Sequence, residues 1–76
     1  MESIVTDLMV YAPIRLSSGK SNRVVYRAWD TNGNCYNIER AGAAGLPWRA
    51  DLNGVKVGFF ATADQAARVL DTKVDS

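Results

Sequence analysis

Two Asn-Gly pairs, Asn32-Gly33 and Asn53-Gly54, each sit between runs of strand-forming residues, and they restrict this chain more than any other feature. Asn-Gly is the pair favoured in a two-residue type I′ turn, because both central residues take positive φ and the turn's twist matches that of the strands it joins. The middle of the chain is therefore expected to form two antiparallel hairpins, residues 23–40 and 47–60. A two-residue turn at 32–33 pairs Trp29 with Tyr36 and Arg27 with Ile38. A turn at 53–54 sets Leu52 opposite Val55, Ala50 opposite Val57 and Trp48 opposite Phe59 on one face, and leaves Arg49, Asp51 and Lys56 on the other. The residues flanking the two turns do not match each other, so these are independent hairpins rather than a repeat.

The N-terminal run alternates Ile4, Thr6, Leu8, Val10, Ala12, Ile14 and Leu16, apolar at six of seven positions. That is the period of a half-buried strand, predicted over 4–16, and the β-branched Ile4, Val5, Thr6 and Val10 favour it over a helix. Pro13 cannot donate to a ladder and belongs at an edge or a bulge. "SSGKSN" then breaks the chain. "SSGKS" is read as a polar loop, because the first glycine of a phosphate-loop motif would fall at Ile14 and no helix follows Ser21. Only residues 62–74 show helical periodicity: Thr62 caps the first turn with Gln65 three residues on, and Ala63, Ala66, Ala67, Leu70 and Val74 form one stripe. So short a helix is marginal alone and must lie on the sheet. The expected fold is α+β, an antiparallel sheet of about five strands with one C-terminal helix packed on one face. At 76 residues it forms a single small domain, 1–76.

Cys35 is the single cysteine and there is no histidine, which excludes an intramolecular disulfide, the usual zinc sites and Cys-His or Ser-His-Asp nucleophiles. No enzyme activity, cofactor or metal is expected. The composition, 47% hydrophobic and 22% charged, is that of a globular protein without an apolar run long enough to span a membrane, and the acidic, interrupted N-terminus is unlike a signal peptide. A cytoplasmic location is the expectation. Net charge is only +1, so any basic patch must be local. Trp29, Tyr36, Arg27 and Arg40 could interleave on one face of the first hairpin as a stacking surface, or Trp29 and Tyr36 could be a cross-strand core pair. Asp64 and Asp71 belong to the solvated side of the helix.

The stretch "WRADLNGVKVGFFATADQAARVLD" resembles the second half of the Apetala-type ethylene-response-factor DNA-binding domain and its relatives in phage endonucleases. The family pattern runs W-x-A-x-I, a turn, then L-G-x-F-x-T-x-E-E-A-A-x-A-Y-D. Trp48, Ala50 and Leu52 match the first element, Val57, Gly58, Phe60 and Thr62 the second, and Asp64, Gln65, Ala66, Ala67, Leu70 and Asp71 the helix. That domain, like the arm-binding domain of phage integrases, reads the DNA major groove with the sheet face opposite its helix. The resemblance implies duplex DNA as partner, a phage or mobile-element setting, and Arg49, Lys56 and Arg40 as contacts, to which the hairpin pattern adds Arg27. The alternative is a compact phage-type inhibitor, anti-defence or anti-CRISPR-like, that docks on a host protein complex through the same face or a sheet edge. Either acts as a monomer or a homodimer.

Overall fold

In the computed structural model, which describes residues 2–19, 21–42 and 44–74, six antiparallel strands follow one another as a meander. They are β1 (Ile4–Val5), β2 (Val10–Ser18), β3 (Ser21–Trp29), β4 (Cys35–Glu39), β5 (Trp48–Leu52) and β6 (Val55–Phe60), and one helix, α1 (Ala63–Asp71), follows. The fold is α+β, with one strand more than the pattern predicts. The extra strand arises because the run 4–16 is split by a tight turn. The Thr6 N–H donates to the Met9 carbonyl (2.9 Å), and Thr6 Oγ1 accepts from Met9 N (3.0 Å). A threonine that bonds its own backbone three residues on competes with the ladder and ends the strand. This turn also reverses which side of the run is buried: Tyr11 is fully buried, whereas Val10 of the expected apolar set is exposed. β1 pairs only with Val10 and Tyr11, so from Ala12 onward β2 is a free edge, the place that Pro13 requires. The β2–β3 hairpin turns at Gly19, with φ +58°, and Lys20 of "SSGKS" lies outside the described residues.

The helix lies against β4, β5, β6 and β1. Thr62 Oγ1 accepts from Gln65 N at 3.1 Å and caps it as expected. Ala66, Ala67 and Leu70 are fully buried, with Ala63 and Val74 packed beside them. They meet Tyr11, Ala28, Tyr36, Ile38 and Ala50 from the sheet and Met9 from the turn before β2, and the alanines let the helix backbone come close. Tyr11 crosses this core to donate from its hydroxyl to Asp71 Oδ1 (3.2 Å). Asp71 is therefore tied into the fold rather than left on the solvated side. Asp64, by contrast, is exposed and pairs with Arg68 one turn on, at 2.7 Å.

Candidate nucleic-acid interface

The face opposite the helix is ordered by cross-strand register. Arg27, Asn37, Asp51 and Lys56 form one row across β3 to β6, and Val25, Glu39, Arg49 and Phe59 the next. Two of these positions correct the sequence-based pairing. The first hairpin does not turn on two residues: Asp30 accepts from the N–H groups of Asn32 and Asn34 (both 2.9 Å), from Asn34 Nδ2 (2.8 Å) and from the Tyr36 hydroxyl (2.8 Å), and so holds a five-residue loop. Trp29 then pairs with Cys35 and Arg27 with Asn37. A slip of one residue moves side chains to the opposite face. Trp29 and Tyr36 are accordingly neither a core pair nor one stacking surface: Tyr36 is buried under the helix, while Trp29, 56% exposed, shares the open face with Arg27.

The second hairpin keeps its Asn53-Gly54 turn, with φ +53° and +83°, and the pairs Leu52–Val55 and Asp51–Lys56. Beyond them a β-bulge sets two residues of β6 opposite one of β5, so Ala50 meets Gly58, Arg49 meets Phe59 and Trp48 meets Phe60. Phe60, not Phe59, therefore packs on the core. Phe59 faces outward, and Lys56 Nζ sits 5.0 Å from its ring centroid. The signal for this is Gly58, because glycine within a strand often marks a bulge.

Charge on the open face is layered. Arg23 bridges Glu39 at 3.2 Å with side-chain exposures of 62% and 16%, and Arg49 bridges Asp51 at 2.9 Å with 35% and 8%. In both pairs the acid is the inner partner, so the outer surface is cationic although the pairs are neutral overall. The Arg23–Glu39 pair spans Val25, which is buried on this side of the sheet. Arg27 Nε donates to Asn37 Oδ1 at 3.0 Å. Of the four predicted contact residues, the structure brings Arg27, Arg49 and Lys56 to this face. Arg40 is not among them: it lies past the end of β4 on the helix side, its guanidinium 5.8 Å from the Trp48 ring centroid. Trp29, one of the stacking candidates of the first hairpin, joins this face, as do Arg23, Asn37 and Phe59, for which the sequence pattern gives no such signal.

Among the described residues no group of three or more His, Cys, Asp or Glu side chains is placed to hold a metal, and no helix is long and apolar enough to cross a membrane. No family model, no curated protein and no solved structure matches the chain.

Proposed function

We propose that this chain is a small, non-enzymatic DNA-binding module that presents the open face of its sheet to the major groove of a duplex. One observation carries the reading: Arg27 and Lys56 stand at the two ends of a single cross-strand row. Three inter-strand steps separate them, roughly 14 Å. That is close to the major groove's width of about 12 Å, so two cations can reach the flanking phosphates while the row between them faces the base edges. Asn37 stands within that row and is suited to adenine, while Arg49, in the neighbouring row, adds a cation for the backbone. The inner placement of Glu39 and Asp51 supports the reading, since it keeps the carboxylates away from phosphate.

A second reading, docking on a host protein complex, draws on the apolar strip of β2, where Val10, Ala12, Ile14 and Leu16 share this face and Val10 is exposed. The two part on salt: phosphate contacts weaken steeply with salt, an apolar dock does not. The test is a mobility shift with a mixed-sequence duplex at low salt. Wild type retains the duplex, and Arg27→Gln/Lys56→Gln loses most of it with unchanged circular dichroism. Equal retention by both proteins overturns the proposal.

A further inference from the structure

β3 outruns its neighbour at one corner of the sheet: β4 ends at Glu39 opposite Val25, which leaves the stretch 21–24 without a partner on that side. The chain turns away at Arg40 and re-enters the sheet at Trp48. Its return is fixed by a hydrogen bond from Gly42 N to the Pro47 carbonyl at 3.0 Å. Any side chain at Gly42 would collide with the Leu46 carbonyl, so the turn demands glycine. Between the outrunning strand and this turn is an open cleft of about 590 Å³, lined by Arg23, Val24, Tyr26, Arg40 and Trp48. Its size falls in the range of small-ligand sites, roughly 300–1,000 Å³.

We propose that this cleft binds one unpaired nucleotide, the base against Tyr26 and Trp48 and the phosphate on Arg40. The two rings are tilted by 54° with centroids 6.1 Å apart, so neither covers the other's face by stacking. Arg40 is exposed, contributes a cation–π contact to Trp48, and finds no acceptor for its guanidinium among the described residues. A guanidinium fork with unspent donors matches phosphate, and aromatic faces stack on bases of any identity. Among the described residues no carboxylate lines the cleft. A phosphotyrosyl peptide also carries a ring and a phosphate. Arg23 favours a nucleic-acid strand instead, because it lines the cleft and also bridges Glu39 on the open face, so cationic surface runs on around this end of the sheet. Arg23 is the one residue that the site shares with the duplex face, and the test turns on Arg40, which is not on that face, so the two readings can fail separately.

The experiment follows Trp48 emission in a Trp29→Phe background during titration with deoxyadenosine monophosphate, single-stranded deca-deoxyadenylate, inorganic phosphate and a phosphotyrosyl peptide. Saturable quenching is expected with the mononucleotide, the oligonucleotide or both. Quenching by the mononucleotide alone names a free nucleotide as the source, and by the oligonucleotide alone an unpaired residue of a strand. Arg40→Ala should weaken it by about tenfold or more, the loss of a charge-assisted contact. Arg40→Lys should fall between, and both should keep the circular dichroism and duplex retention of the parent. No saturable quenching by either nucleotide ligand, an Arg40→Ala affinity equal to the parent's, or tighter binding of inorganic phosphate or the phosphotyrosyl peptide overturns the proposal.

Discussion

Arg49→Gln should destabilise the domain much more than Asp51→Asn, although the two side chains form one ion pair. At 2.9 Å their gross attraction is about 6 kcal/mol at an effective dielectric of ~20. Desolvation of the enclosed Asp51 and the partial exposure of Arg49 reduce the net coupling to about 1–2 kcal/mol, between the ranges for exposed and buried pairs. Removal of Arg49 strands a carboxylate whose side chain is 8% exposed, whereas removal of Asp51 frees an arginine that can turn into water. Lys56, opposite Asp51, holds its ammonium 5.0 Å from the Phe59 ring centroid and would have to leave that ring to take the place of Arg49. A loss of about 2 kcal/mol in a domain of this size lowers Tm by roughly 8–16 °C. Asp51→Asn should cost about half of that or less, and the double variant should melt close to Asp51→Asn alone. Thermal melts of the four proteins by circular dichroism provide the cycle. The reasoning is refuted if Arg49→Gln melts within 3 °C of wild type, or if the double variant shows the plain sum of the single losses. It follows that charge reversal at Arg49, which looks from sequence like an exposed contact, disturbs fold and binding together, and that Arg27 and Lys56 are the cleaner probes.

Leu70→Ala should cost about 3–5 kcal/mol by urea denaturation, because the side chain is fully buried among helix alanines and sheet aromatics, while Leu70→Met should cost less than about 1.5 kcal/mol. Burial first, and then the Asp71 carboxylate, push the Tyr11 hydroxyl above the ordinary tyrosine range. A raised pKa stabilises the fold fully below the unfolded value near 10 and loses that effect as pH climbs toward the folded value, so melts above about pH 10 should fall less steeply for Tyr11→Phe than for wild type. Asp30 is held down at about 2, chiefly by the Asn34 side chain and then by Tyr36 and the loop N–H groups. Its contribution is present above the unfolded value near 4 and disappears as pH falls toward 2. Asp30→Asn should therefore lower Tm at pH 7 and narrow the difference between melts at pH 7 and pH 2.5.

The sequence is most legible where one rule acts locally. The Thr62 cap and the alanine stripe place α1, and Asn53-Gly54 sets the second turn, because cap and turn chemistry are decided within a few residues. Register is less legible. Asn32-Gly33 carries the same turn signal, yet Asp30, two residues earlier, offers its carboxylate to three nearby N–H groups and the Tyr36 hydroxyl, and that network wins over the shorter turn. The single-residue difference decides whether Trp29 is core or surface. In the second hairpin the Asp51–Lys56 face follows from alternation, but the bulge beyond it exchanges Phe59 and Phe60. The split between β1 and β2 rests on Thr6 bonding its own backbone, for which β-branched content gives no warning. The family resemblance offers Arg40 as a contact, but nothing local in the sequence marks where the strand ends. The chain turns off the sheet at that residue because the loop is drawn closed through Gly42 and Pro47.

The salt dependence of duplex binding decides whether the open face meets DNA phosphates. Four cations, Arg23, Arg27, Arg49 and Lys56, stand outermost on the open face; if each meets a phosphate, log K should fall against log salt with a slope of about −3.6, or roughly a hundredfold between 50 and 200 mM. Arg27→Gln/Lys56→Gln should reduce the slope to about −1.8 at unchanged Tm. Fluorescence anisotropy of a labelled duplex at four salt concentrations measures both. A slope near zero for wild type, or one that the double variant leaves as it was, would contradict the assignment of the open face to DNA.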